Sequence, residues 1–252
     1  MNSTEALLVR YNRDGFVMLE SAFDKTSMQN LATYYHDEYT SLSKQKLEQR
    51  HALVGDRRYM ITAKIKGPLN DPALYANETV MPLLTELLGK HFVISSFGSV
   101  IAFPGAESQA VHFDYPPLYA DEATCAALPP HAITLVVPLV DITQETGSTA
   151  VWPSSHARVG ARKQLTELVE SGSFHGSVAP KPKLGDAFLM DFRLIHAGTP
   201  NVSDIARPIL YIVYSRPWFR EDMNFDEQPP INLSPKQRKK VPKKLRYLFA
   251  NA

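Results

Sequence analysis

Apolar residues follow two different periods along the chain. Between Asp24 and Leu42 they recur as Met28, Leu31, Tyr35, Tyr39 and Leu42, one stripe of an amphipathic helix that Asp24 would cap. A second helical run passes from about Asn77 through Val80, Leu84, Leu87 and Leu88 and stops at Gly89. The stretch between them, VGDRRYMITAKIKGPLNDP, reads as strand followed by turn. From His91 the texture changes to short β-rich runs: HFVISSFGSVIAF, AITLVVPLV, STAVW, GDAFLMDF and RPILYIVY. Clusters of Gly, Pro, Asn and Asp separate them, and one helical interruption, ARKQLTELVESG, falls between the third and fourth. Many short strands with few helices among them predict a mainly β sandwich or barrel, with the N-terminal helices covering one face. The 17 residues from Tyr115 to His131 join two strands without evident structure, a length usual for a functional loop or lid.

Composition narrows the picture. With 252 residues, 44% of them hydrophobic and 21% charged, the chain can build one full core. The expected organisation is one domain over 1–252: a helical lead-in with the first strands over 1–90, a β core over 91–217 and a tail over 218–252. A net charge of +1 argues against binding nucleic acid through phosphates. The basic excess sits in residues 236–246, KQRKKVPKKLR, with seven basic residues and no acid. It reads as a solvated face broken at Pro242, with Leu245, Tyr247, Leu248 and Phe249 docking on the body; nuclear localisation or polyanion binding is the alternative. No apolar run reaches the roughly 20 residues of a membrane span, and the N-terminal residues lack a signal-peptide layout. The single cysteine, Cys125, excludes an internal disulfide and fits a reducing, cytoplasmic setting.

Candidate chemistry starts at QAVHFDYPP. His112 and Asp114 stand two apart in a strand-like context, which points both side chains to the same face. Two histidines and one carboxylate on one side of an ion leave its other positions open, as in non-haem iron oxygenases. The candidate for the second histidine is His196, in DFRLIHAGTPN. Eleven residues on, Arg207 heads RPILYIVY; a turn through TPNVSD would pair the two strands antiparallel and bring the guanidinium beside the ion. There it could grip a carboxylate through two parallel hydrogen bonds, which lysine cannot copy. One dicarboxylate, 2-oxoglutarate, fits both groups, with its keto and C1 carboxylate oxygens on the metal and its far carboxylate on the arginine. His36 and Glu38 share the His-x-acid spacing but would face different sides of a helix. His51, His91, His131, His156 and His175 show no ligand spacing and read as structural, although His131 could face substrate.

Four segments in order, DGFVMLESAFD, QAVHFD, ETGSTAVWPSSH and GDAFLMDFRLIHAGTPNVSDIAR, resemble the phytanoyl-CoA dioxygenase family of Fe(II)/2-oxoglutarate oxygenases. The likeness covers roughly residues 91–220 and the opening segment. It implies a double-stranded β-helix, the cupin-like jelly roll, with iron at one open end. Carried over position by position, it implies that His112, Asp114 and His196 are iron ligands and that Arg207 holds the distal carboxylate. It further implies that Thr149 reaches that carboxylate and that Gln109 touches the cosubstrate. Arg57 or Arg58 would be the basic residue that some members supply before the core. Two positions depart from the expected pattern. Pro153-Ser154-Ser155-His156 replaces Pro-Gly-Ser-His, and Ile209 stands where many 2-oxoglutarate oxygenases have Ser or Thr. Asp114 stands where related halogenases have Gly or Ala, which disfavours halogenation.

The expected activity is therefore dioxygenation of a small organic substrate of natural-product type, using Fe(II), 2-oxoglutarate and O2. The simplest form is hydroxylation at a C–H bond, with succinate and CO2 as coproducts. Desaturation, ring formation, epoxidation and demethylation are alternatives at the same site. A non-catalytic metal-binding jelly roll and a zinc hydrolase are the alternatives from other classes. The substrate wall is expected from the 115–131 loop and residues around 216–228, with Tyr115, Tyr119, Trp218 and Phe219 as candidates. Neither nucleic acid nor membrane is an expected partner.

Overall fold

The computed structural model describes residues 3–42, 46–47, 52–221, 223–225 and 228–252. His51, and positions 222, 226 and 227 of the expected substrate wall, lie outside the described residues. The first element is a helix, α1 (Thr4–Asp14), that the hydrophobic pattern does not announce, because only Leu7 and Tyr11 turn inward. Its ends are nevertheless written in the chain. The Ser3 hydroxyl accepts from the Ala6 N–H, and Gly15 closes the helix at φ 80°. Helix α2 (Lys25–Tyr35) starts as expected at Asp24, whose carboxylate accepts from the Ser27 N–H, and it buries Met28, Leu31 and Tyr35. A π-helical turn, His36–Thr40, continues it and carries Tyr39 inward. After the short α3 (Pro72–Tyr75), α4 (Val80–Leu88) is launched by the Asn77 side chain, which accepts from the N–H groups of Thr79 and Val80.

The strands form two layers. The larger sheet runs β1 (Phe16–Leu19), β7 (Ala187–Asp191), β5 (Ala132–Pro138), β9 (Arg207–Ser215), β4 (Val93–Ala102), β3 (Arg58–Ile61) and β2 (Ala52–Leu53), antiparallel at every pairing. The pleat divides its residues. On β9, Leu210, Ile212 and Tyr214 face the helices and join one large core with Leu135 and Val137 of β5 and the inner faces of α1, α2 and α4. Arg207, Ile209, Tyr211 and Val213 alternate with them and face the other way, into a cavity. Strands of the first 90 residues complete both edges of this sheet.

The opposite layer is small. β6 (Thr149–Val151) pairs with β8 (His196–Gly198), setting Val151 against His196 and Thr149 against Gly198. The segment around His112 is extended but not a regular strand, touching β8 through the reciprocal pair His112↔His196. Together the layers make a jelly roll. One expectation is corrected: β8 does not pair with β9. Between them the Asn201 amide donates to the Ala102 and Ile205 carbonyls. This carries the chain from the small layer to the large one, so His196 and Arg207 face each other across the sandwich.

The 115–131 connection has structure of its own, with α5 (Glu122–Ala127) capped by Asp121. It is tied down twice. The Glu122 carboxylate accepts from the N–H groups of Gly160 and Arg162 at the start of α6 (Ala161–Ser171). Arg193 donates to the Cys125 and Leu128 carbonyls. In the basic C-terminal segment, Leu248 and Phe249 are buried and Leu245 packs on the core, whereas Tyr247 stays 43% exposed and does not dock. Arg238 and Arg246 are engaged with backbone carbonyls of that same segment. Among the described residues no helix is long and apolar enough to cross a membrane.

Candidate metal centre and carboxylate pocket

His112, Asp114 and His196 converge. Each offers one ligand-type atom, and these atoms lie within 4.8 Å of one another. The two imidazoles are oriented alike: each Nδ1 donates to the carbonyl two residues upstream, His112 to Ala110 at 2.7 Å and His196 to Leu194 at 3.0 Å. A carbonyl can only accept, so Nδ1 carries the proton and Nε2 presents a lone pair to the shared point. Asp114 Oδ1 lies 3.3 Å from His196 Nε2, and its Oδ2 accepts from Thr134 Oγ1 at 3.4 Å. Burial, reinforced by the neighbouring His196, pushes His112 down to about 4 and keeps it neutral. Burial alone would raise Asp114; the adjacent histidines outweigh it and hold the carboxyl below its usual range. A neutral histidine, an ionised carboxylate and a fixed tautomer are the states a divalent cation requires of its ligands.

Across the cavity the polarity reverses. Arg207 is 1% exposed, yet among the described residues its Nε and Nη2 have no hydrogen-bond partner. Those two N–H groups form one edge of the guanidinium, the fork that matches a carboxylate. Of the two arginines expected from before the core, Arg58 comes to this side. It is fully buried on β3, while Arg57 is an exposed neighbour of Asp56. Arg58 Nη2 donates to the Glu107 and Thr199 carbonyls, and its Nε and Nη1 are unpartnered. Burial pushes Arg207 down to about 9, with Arg58 adding to it, and burial pushes Arg58 down to about 10. Two buried cations with no anion beside them among the described residues call for one. A dicarboxylate reaching from the cation site to this fork would supply it, so the residues present fit both the metal and 2-oxoglutarate.

The cavity joining these poles holds about 450 Å3. Thr149 lines it, as does Gln109, whose amide is held at both ends: Nε2 donates to the Val54 carbonyl and Oε1 accepts from the Gly198 N–H. A side chain at Gly198 would place its Cβ 2.5 Å from that Oε1 and 2.7 Å from Arg58 Nη1, so it would displace the ends of both side chains. Ile209 adds an apolar wall. Ser154, in the position of the family glycine, takes the left-handed conformation at φ 66°, steadied by hydrogen bonds to the Arg13 and Asp14 carbonyls.

The four expected substrate residues do not line this cavity. Tyr115 and Phe219 stack around Phe192, which does, and with His131 they form an aromatic cluster. Tyr119 and Trp218 are more than half exposed. The wall is instead built by Phe113, Phe192, Tyr211, Glu221, Asn224 and Phe225. His131 is buried and faces a separate small cavity near Cys125. The signal for Tyr211 was present in the sequence, four residues past Arg207 and so on the same strand face; that for Glu221 and Asn224 was not, since they follow the last strand.

An ion-binding face on one layer and a carboxylate fork on the other, inside a jelly roll, is the architecture of the non-haem iron oxygenases that use 2-oxoglutarate. More narrowly, the chain belongs to the phytanoyl-CoA dioxygenase family, whose family model matches residues 11–209. This is a family of oxidoreductases working with Fe(II), 2-oxoglutarate and O2. It is similar to the dioxygenase af480 of Aspergillus fumigatus, 32% identical over 162 residues, which is 64% of this chain and 49% of the relative. The chain thus spans about half the length of that curated relative. Among solved structures it resembles SnoN, the non-haem α-ketoglutarate-dependent epimerase of nogalamycin biosynthesis. The TM-score is 0.62 at 19% identity, covering 90% of each chain. A second structure, SnoN in complex with Fe3+, α-ketoglutarate and nogalamycin RO, gives a TM-score of 0.64 at 17% identity, covering 90% of this chain and 93% of that one.

Proposed function

We propose that the chain is an Fe(II)/2-oxoglutarate-dependent dioxygenase acting on a small, largely apolar organic substrate, most simply by hydroxylating a C–H bond. The observation that carries this reading is the pairing, within one cavity, of three convergent ligand atoms with a buried, unpartnered guanidinium fork. A zinc hydrolase or a structural ion gives no reason for two buried cations opposite the site. In this reading His112, Asp114 and His196 hold the iron, and Arg207 holds the distal carboxylate with Thr149 beside it. Arg58 adds its charge from behind, and Gln109 braces the backbone on which His196 and Gly198 stand. Bound iron supplies the oxidising chemistry, in which O2, 2-oxoglutarate and R–H become succinate, CO2 and R–OH.

The protein's own share is positional. The two upstream carbonyls fix the imidazole tautomers, so each Nε2 is the nitrogen turned toward the metal position. The arginine fork fixes the far end of the cosubstrate and therefore the direction of its keto acid end. Val213, Val136, Met190 and Phe192 make the space beside the ligands apolar, which suits an unactivated carbon and excludes water. That SnoN is an epimerase agrees with an outcome set by how the target carbon is held rather than by the ligand set.

The deciding experiment is anaerobic addition of 2-oxoglutarate to protein loaded with Fe(II), followed in the visible region. A metal-to-ligand charge-transfer band that Asp114→Ala and His196→Ala each abolish supports the assignment. Stoichiometric iron with no band refutes the cosubstrate.

A further inference from the structure

The cavity has a second polar pole, at the end opposite Arg207. Glu221 enters the wall just beyond β9 and is only 9% exposed. Its Oε2 accepts from Ser96 Oγ at 2.7 Å and its Oε1 from Asn224 Nδ2 at 3.1 Å. Ser96 follows an irregularity in the β4 register, between Ile94 and Ser96, of the kind that re-aims a side chain beside a site. Among the described residues no lysine, arginine or histidine pairs with this carboxylate. A carboxylate has about four acceptor positions, so two donors leave about half of its capacity unused. Burial, with Asp114 in the same direction, lifts Glu221 to about 7 against the opposing effect of Asn224 and Ser96.

A second group there is unsatisfied. The Tyr211 phenol lines the same cavity, is buried, and makes no hydrogen bond. Burial holds it protonated, and the charges of Glu221 and then Asp114 push in the same direction. Buried polar groups in folded proteins are ordinarily paired; the Tyr211 phenol lies over Gly98 of β4, and Tyr211 and Glu221 both line the cavity. Among the described residues the charged groups around the phenol are Asp114 and Glu221; Ser96, Thr134 and Asn224 supply neutral polar surface.

We propose that Glu221 and Tyr211 are the substrate-positioning pair of this cavity, recognising a free hydroxyl on an otherwise apolar substrate. A hydroxyl donates to Glu221 and accepts from the Tyr211 O–H, satisfying both. An ammonium group only donates and would leave the phenol proton without an acceptor. A plain hydrocarbon would leave both groups buried and unpaired. The hydroxyl would be an anchor rather than the reacting group: it fixes one end of the skeleton so that a neighbouring C–H lies over the His112–Asp114–His196 face. This deepens the dioxygenase reading and rests on it for the identity of the reacting face. It also implies that the reaction supplying this substrate leaves an alcohol on a hydrocarbon frame.

The test uses three matched probes, 4-phenylbutanol, 4-phenylbutylamine and butylbenzene, bound to the full chain loaded with Mn(II) and 2-oxoglutarate. Dissociation constants come from ligand-observed NMR. The alcohol is expected to bind about tenfold or more tightly than either other probe. Tyr211→Phe, which removes no protein hydrogen bond, should erase most of that preference, as should Glu221→Ala, while Glu221→Gln retains part of it through the amide oxygen. Lack of an alcohol preference in the wild type, whether from equal binding or from none, overturns the proposal; so does a preference that survives both Tyr211→Phe and Glu221→Ala. An amine preference overturns the hydroxyl assignment. The charge-transfer band separates the two levels: a preference without the band leaves the positioning pair standing and removes the dioxygenase reading, and a band without the preference does the reverse.

Discussion

Replacing Arg207 by methionine should change the stability of the protein in opposite directions with and without cosubstrate. The guanidinium is buried with two unpartnered N–H groups, and burial with Arg58 nearby pushes it down to about 9. At about 1.36 kcal/mol per pH unit, keeping it charged in the folded protein costs on the order of 5 kcal/mol. Methionine fills similar volume without the charge, and replacement of buried ions by apolar residues of like size commonly gains about 1–4 kcal/mol. The free variant should therefore be more stable than wild type at pH 7 by about 1–3 kcal/mol in urea unfolding. With Mn(II) and saturating 2-oxoglutarate the order reverses. Wild type gains about 2.7 kcal/mol at a hundred times its dissociation constant, whereas the variant has lost a charge-assisted pair of hydrogen bonds. A variant that is less stable than wild type without cosubstrate, or that keeps the wild-type gain with it, would refute the reasoning.

His112→Ala, Asp114→Ala and His196→Ala should each lower Mn(II) or Zn(II) affinity by at least about 10-fold in a chelator competition while leaving the circular dichroism spectrum unchanged; undiminished affinity would move the ion elsewhere. Gly198→Ala should weaken 2-oxoglutarate binding, because its methyl meets Gln109 and Arg58 at 2.5 and 2.7 Å, and titration calorimetry would show it. Asp191→Asn should cost about 3–5 kcal/mol by leaving the buried Arg193 uncompensated. Arg193 outweighs burial and holds the Asp191 carboxyl below its usual range, so this stabilisation is complete above the ordinary Asp value and is lost as pH falls through the depressed one. Unfolding curves at pH 7 and pH 3 that differ equally from wild type would contradict that account.

The strands were legible because apolar runs bounded by turn residues read the same locally and globally. The two-residue spacing of His112 and Asp114 was legible for the same reason, since an extended backbone points both one way whether or not it is a regular strand. What the sequence could not give was pairing between distant segments. A local turn between His196 and Arg207 suggested a hairpin; Asn201, bonded to a carbonyl of β4, turns the chain between layers instead. Helix α1 was missed because two inward residues make too short a stripe. Which residues line the cavity was not legible, because aromatic residues near a loop say nothing about depth: Tyr115 and Phe219 pack on one another and on Phe192, and the cavity is faced by residues that strand alternation or the post-β9 segment delivers. Choosing between Arg57 and Arg58 also needed burial, which adjacent positions on one strand end do not reveal.

The small layer of this sandwich has a consequence for how the molecule breathes. β6 and β8 are three residues each and pair as regular strands with one another, held on their outer sides by isolated bridges, His112 to His196 and Val178 to Val151, while β9 is flanked along its length on both sides. Such a ribbon should open on its own, well below the energy of global unfolding. A dicarboxylate held between His196 on that ribbon and Arg207 on β9 would pin it to the most secure strand in the protein. The amide hydrogens of Ala150, Val151, Ala197 and Gly198 would then exchange with solvent deuterium quickly in the free protein and slowly in the liganded one, turning the short sheet into a gauge of occupancy.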